Sequence, residues 1–338
     1  MEYHRGALVA RGVAAGLTAV VVTGSIIVAL TLLPAGMFAG TSLTTGTLGS
    51  TRSFALVNYQ PELCTVAPCA APVSGWLHTN PGDTNIYDSR GSIVRLVGLN
   101  AMGLEYGTGT SGADQCRFGW GGEDAGGFSA GEFDNIASWG FNFVRLPISW
   151  ENLEPTAPSQ AFNGNWVHKW NAAYLSELDY FVSQFGQRHI AVILDFHQLD
   201  ISPAFQQAPG GVHGTFCEGW GESTWLYPRI TSPTTRTDLT TAICSFFTDN
   251  SMVGDAVPPP IEGLKAAEQM LASRYSGNPT VIGIDIFNEP WFPRSCGPNT
   301  TAAGLLMNFD TEISEAISAA NPHLLVVFEE PPKNLTPM

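Results

Sequence analysis

Four short apolar runs of this chain end on a polar or charged side chain, and that recurrence restricts the fold more than any other feature. They cover residues 92–100, 141–150, 189–197 and 281–289, with Asn100, Arg145, His197 and Glu289 at or near their carboxyl ends. Each is rich in Val, Ile, Leu and Phe over about six positions, the pattern of a strand buried on both faces. Between them, residues 130–138 and 172–185 repeat apolar side chains at three- and four-residue steps, the helical period. Strand and helix in alternation imply a parallel sheet with right-handed crossovers. Polar groups gathered at the carboxyl ends of successive strands select the (β/α)8 barrel, because that rim is where such barrels assemble their sites. A doubly wound sheet is the rival, but no Gly-rich phosphate loop follows the first strand.

The fourth run closes on Asn288, Glu289 and Pro290. Pro290 cannot donate to a ladder, so the strand ends there. A Glu at such an end is expected to have its stem packed and its head in a cavity. Burial of that kind raises a carboxyl pKa, which suits a general acid.

Residues 88–100, Arg145-Leu146-Pro147 with Trp150, Asp195-Phe196-His197 and Asn288-Glu289-Pro290 stand in a characteristic order and spacing. Together they resemble glycoside hydrolase family 5, the cellulase-type retaining glycosidases, over about residues 75–332. The resemblance implies hydrolysis of the β-glycosidic bonds of a glycan or glycoconjugate. It implies Glu289 as acid/base, Asn288 as a contact to the sugar 2-hydroxyl, and Arg145 and His197 in the polar network around the nucleophile. Retaining hydrolysis needs two carboxyls about 5–5.5 Å apart, one to protonate the leaving oxygen and one to attack the anomeric carbon. An Arg beside the attacking carboxyl keeps it ionised and so separates the two roles.

The net charge of -15, with 15 Lys and Arg, excludes a nucleic-acid partner, whose phosphates need basic patches. Nine Trp and 36 Gly suit a loop-rich carbohydrate binder. Trp150, Trp220, Trp225 and Trp291 lie at or after strand ends and are the expected stacking platform, with Asn100 as a further substrate contact. No Cys-x2-Cys or His pair has ligand spacing, so no metal or other cofactor is expected.

Residues 1–39 read as a signal anchor or signal peptide: Arg5 and Arg11 precede an apolar stretch over about 12–33, long enough for a membrane-spanning helix. An uncleaved segment gives membrane contact, and either reading makes the protein extracytoplasmic. Residues 40–74 form a Thr-, Ser- and Gly-rich linker with a Cys-containing lead-in, and residues 75–338 the glycosidase domain. Six cysteines suit an oxidising compartment. Cys64 and Cys69 flank a short loop and are placed to pair locally, whereas Cys116, Cys217, Cys244 and Cys296 are expected to brace cleft loops. The long insertion over about 198–260 reads as a wall of that cleft.

A fifth run, residues 323–328, leads to Glu329 and Glu330. Only about forty residues separate Glu289 from Glu329, and a helix over about 302–320 fills most of them. A strand–helix–strand unit takes some thirty residues, so both glutamates belong to strand five. The family's nucleophile sits on strand seven. On this reading the chain holds about five strands of a carboxyl-terminally truncated barrel, with the nucleophile missing from it. Two alternatives stand beside that enzyme: a non-catalytic carbohydrate-binding remnant, and a glycosidase directed at glycolipids.

Overall fold

A computed structural model describes residues 18–31 apart from 24 and 25, residues 73–105 apart from 74, and residues 130–330. Within the last range the stretches 199–200, 203, 205–220, 228–235, 291–295 and 298–300 are not described. In the amino-terminal segment, β1 (Thr18–Thr23) pairs antiparallel with β2 (Ile26–Thr31). This hairpin replaces the continuous apolar helix expected over 12–33. Val20, Val21, Val22, Ile26, Ile27 and Val28 are β-branched and favour a pleated strand. No helix of the described residues is long and apolar enough to cross a membrane.

A small antiparallel sheet follows: β3 (Leu77–Thr79), β4 (Ile86–Asp88) and β5 (Ile93–Val94). Its second turn is fixed by Asp88, whose Oδ1 accepts from the Arg90 and Ser92 amides at 2.9 Å each. Gly91 there has φ 79°, a left-handed value at which a Cβ is disfavoured.

In the remaining elements, apart from a two-strand hairpin, each sheet strand before the last is followed by one or two helices. They are β6 (Gly98–Asn100), α1 (Ala130–Ser138), β7 (Phe143–Ile148), α2 (Trp150–Leu153), the hairpin β8 (Ser159–Gln160) and β9 (Trp166–Val167), and α3 (Ala172–Gln187). Then come β10 (Ala191–Phe196), α4 (Arg236–Phe247), α5 (Pro260–Arg274), β11 (Val281–Asp285), α6 (Ala302–Ala320) and β12 (Leu325–Val327). Side chains set the helix starts: Asn171 accepts from the Ala173 and Tyr174 amides, and Thr301 from the Gly304 amide.

The strands form one parallel sheet in the order β12-β11-β10-β7-β6, so sequence neighbours are spatial neighbours. This is the leading part of a (β/α)8 barrel. On the helical side, Phe133, Leu178, Phe181 and Phe185 pack against Val144, Leu146, Val192 and Leu194 in the main core. On the other side, Phe143, Ala191, Ile193 and Ile282 meet Leu77 of the small sheet, with Ile86 and Val94 against them. The small sheet therefore covers apolar surface that the strands' inner faces expose.

The insertion after β10 is only partly a loop. Its helix α4 puts Phe246 and Phe247 into the core, ring to ring with Phe287 and Phe309 at centroid distances between 5.3 and 5.9 Å. That half of the expected cleft wall is core, because two adjacent phenyl groups bury more stably than they line water. Cys244 of α4 is bonded to Cys296 beyond β11, a pairing that spacing alone left open. Cys64, Cys69, Cys116 and Cys217 lie outside the described residues.

Candidate active site

The carboxyl ends of β7, β10, β11 and β12 meet at one guanidinium. Arg145 places Nη1 2.8 Å from Asp195 Oδ2 and Nε 2.8 Å from Asp285 Oδ2. Its Nη2 donates to Glu329 Oε1 at 2.6 Å and to Asn288 Oδ1 at 3.0 Å. Strand register brings this about: Asp195 pairs with Pro147 on one side and Asp285 on the other, two residues along from Arg145. Residues two apart share a sheet face, so Arg145 reaches forward to both acids.

Burial works against the Arg145 cation, and Asp195, Asp285 and Glu329 outweigh it, so the pKa rises. Three carboxylates around one cation cannot all ionise cheaply in a dry site. Asp285 gives way: burial pushes its carboxyl up to about 8 against the pull of Arg145, with Asp195 and Glu329 adding repulsion. Glu329 is also raised, by burial first, with Arg145 opposing.

His197 donates from Nδ1 to Asp195 Oδ2 at 2.7 Å. Burial lowers its pKa, but the adjoining Asp195 carboxylate more than offsets that and the net shift is upward. Asn288, 5% exposed, is locked on both sides. Its Oδ1 accepts from Arg145, and its Nδ2 donates to the Gln198 carbonyl at 3.2 Å. Gln198 Nε2 returns a bond to the Asn288 carbonyl at 2.7 Å. An amide nitrogen carries two hydrogens, so one remains on Nδ2 for a substrate hydroxyl.

Glu289 follows with φ 45°, in the left-handed region, and its amide donates to Glu329 Oε2 at 2.7 Å. A non-glycine residue held there costs of order 1–3 kcal/mol, and such strain collects at functional sites. The side chain is exposed, which corrects the expectation of a carboxyl desolvated in a cavity. The left-handed residue breaks the alternation of the strand, so Glu289 leaves the packed line and stands on the rim.

The family model described as Cellulase (glycosyl hydrolase family 5) matches residues 100–332. The chain belongs to glycosyl hydrolase family 5. It is similar to an endoglucanase of Paenibacillus polymyxa, 25% identical over 286 residues, which are 82% of this chain and 54% of that protein. It is also similar to endoglycoceramidase I of Rhodococcus hoagii (strain 103S), 29% identical over 206 residues, 59% of this chain and 37% of that protein. Among solved structures, an endogalactoceramidase shares the fold at TM-score 0.56 and 24% identity, over 76% of this chain and 54% of that one. Endo-glycoceramidase II from Rhodococcus sp., as its lactosyl-enzyme intermediate, gives 0.52 and 22%, over 73% and 52%. The chain thus spans about half the length of the relatives it matches or less.

The structure brings Arg145, His197, Asn288 and Glu289 together around one network, with His197 joined through Asp195 and Glu289 through Glu329. Asn100 ends β6 in register with Arg145 and is exposed at the sheet's edge. The tryptophans divide differently. Trp150 is 2% exposed, sits edge-on to Trp225 at 5.4 Å, and meets α5 where Gly263 has no side chain. It is a core residue and offers no face to a sugar. Trp225 is partly buried against the same core, and its indole N–H is spent on the Glu154 carbonyl at 2.9 Å. Trp150 is no stacking platform, because at a strand end an indole can turn back onto the helices as readily as out to the rim, whereas Trp225 keeps part of its surface exposed. Trp220 and Trp291 lie outside the described residues.

Three acids escaped the sequence reading. Asp285 carried a signal, since a charge inside the apolar run 281–287 demands a buried partner. Glu105 carried none; it sits beyond β6 among residues that read as an ordinary loop. It is wholly buried, with Oε2 accepting from the Gly103 amide at 2.6 Å and Oε1 unpartnered among the described residues. Burial pushes its carboxyl up to about 7, with the charge of His197 acting downward. Glu268 of α5 is also wholly buried with both oxygens unpartnered among the described residues, and burial, then the Asp285 charge, raise its pKa well above the usual range.

Proposed function

We propose that this protein hydrolyses β-glycosidic bonds of a glycan or glycoconjugate by a retaining double displacement, with Glu289 as acid/base. The observation that carries the proposal is the Arg145 network, which ties Asn288 and the Glu289 backbone to four strand ends. In the first step Glu289 gives its proton to the glycosidic oxygen as a second carboxylate attacks the anomeric carbon. In the second step Glu289 takes a proton from the water that releases the sugar. The remaining Nδ2 hydrogen of Asn288 is free to bind the 2-hydroxyl as positive charge develops at the ring.

The proposal assigns the nucleophile to a carboxylate other than Glu329. Glu329 is tied at both oxygens, to Arg145 and to the Glu289 amide, which makes it a brace for the acid. A 2-deoxy-2-fluoro glycoside traps the covalent intermediate, and the mass of the labelled peptide identifies the group; a label on Glu329 overturns this assignment. Glu289→Gln should slow hydrolysis of poor leaving groups by orders of magnitude and activated aryl glycosides much less. Equal losses on both count against Glu289 as the acid.

A glycolipid-directed hydrolase is the second reading, supported by the similarity to an endoglycoceramidase at 29% identity. Product analysis on lactosylceramide beside a soluble β-glucan separates the two. Binding of either without turnover leaves the non-catalytic alternative. An oxidising, extracytoplasmic location belongs to the same proposal, and the Cys244–Cys296 bond supports it.

A further inference from the structure

A cavity of about 400 Å³ opens between α5 and the β8–β9 hairpin, lined by none of the residues of the Arg145 site. Its walls carry Asn165, Trp166 and His168 on one side and Glu262, Lys265 and Gln269 on the other. The three α5 residues stand three and four apart and so form one row on the helix surface. Opposite them, Trp166, His168 and Trp170 are half-buried and alternate with exposed Val167 and Lys169. Alternation in an extended segment puts the three rings on one side.

This row is rigidly supported. The His168 ring stacks on Trp170 at 4.7 Å with 2° between the planes, and Trp170 packs on the main core. His168 Nδ1 donates to Glu154 Oε1 at 3.0 Å, and the Lys169 amide donates to the same oxygen at 2.9 Å. Glu154 is wholly buried, so a fixed carboxylate sets the tilt of the imidazole. Apart from that His168 bond, none of the six lining side chains hydrogen-bonds to another described residue. Surface polar groups are ordinarily spent on water, but here residues of both charge signs and two amides line one concavity with an aromatic wall.

We infer that this cavity is a second saccharide-binding site, which takes a β-linked oligosaccharide outside the catalytic cleft. A sugar ring has a C–H face that lies on an aromatic ring and a rim of hydroxyls that both donate and accept. An apolar ligand would leave the polar groups of the other five side chains unpaired at a desolvation cost. A polyanion would meet Glu262 as well as Lys265. The volume falls within the range of about 300–1,000 Å³ usual for small-molecule sites. The inference goes beyond the hydrolytic reading and rests on it only for the choice of a β-glucan probe.

The test follows the indole N–H resonance of Trp166, assigned by its loss in Trp166→Phe, as cellotetraose is added to the Glu289→Gln protein, which does not consume the probe. A saturable shift is expected. Gln269→Ala and Lys265→Ala should each weaken its midpoint about tenfold, ~1.4 kcal/mol. A resonance unmoved by cellotetraose overturns the inference. So does one that moves only with phosphatidylcholine vesicles, or one whose midpoint ignores both α5 substitutions. The readout is independent of turnover, so an unaltered protein that hydrolyses no β-glycoside, beside a Trp166 signal that moves in the Glu289→Gln protein, refutes the hydrolytic reading and leaves this one standing.

Discussion

Arg145 shows how one cation organises several acids. It satisfies one oxygen each of Asp195, Asp285 and Glu329, and leaves Asp195 Oδ1 and Asp285 Oδ1 without partners among the described residues. Glu268 adds two further unpartnered oxygens beside Asp285. A buried carboxyl without a hydrogen bond is a net cost to the fold, so Glu268→Met, which keeps volume and removes the polar group, should stabilise by about 1–3 kcal/mol. Urea denaturation at pH 8 measures it. A loss of stability instead would mean that Glu268 has a partner which outweighs its burial.

At the scale of elements, two features bear directly on the sheet. A Cβ at Gly98 would lie 1.9 Å from the Phe143 carbonyl oxygen, a backbone atom that cannot swing aside. Gly98→Ala must therefore push β6 off β7, costing about 3 kcal/mol or more, at the upper end of ordinary overpacking. The check is a lowered melting temperature with weakened amide-exchange protection at Leu99 and Ala101, whose N–H groups face β7 in this parallel register. The Cys244–Cys296 bond closes a loop of 52 residues between α4 and the segment that follows the Glu289 turn. Replacing both cysteines by Ser should cost about 2–5 kcal/mol, read from denaturation curves. If the unaltered protein unfolds at the same urea concentration with and without reductant, the bond does not constrain the chain as described.

For the molecule as a whole, the raised carboxyls give stability a definite slope with pH. Glu105 ionises near its ordinary value of 4.5 in the unfolded chain and at about 7 in the fold, and Asp285 moves from 3.8 to about 8. Folded pKa values above the unfolded ones mean that the unfolded state releases protons first as pH rises. The contribution of these groups is therefore fully present below about pH 4 and is lost through pH 7 to 8. The protein should melt at a higher temperature at pH 5 than at pH 8, and Glu105→Gln should flatten that difference; a profile rising from pH 5 to 8 contradicts the assignment. Strand order, the alternation with helices and the run that ends on Asn288 and Glu289 were legible from the chain alone. A strand's apolar period and its polar end are local properties, visible without neighbours. Tertiary structure alone decided the rest. It brought Arg145 to Asp285 across 140 residues, buried Glu105 and Glu268, turned Trp150 into the core and set Glu289 on the rim. Each of those depends on inter-strand register or on the neighbours that displace water, and neither is written in the residues on either side.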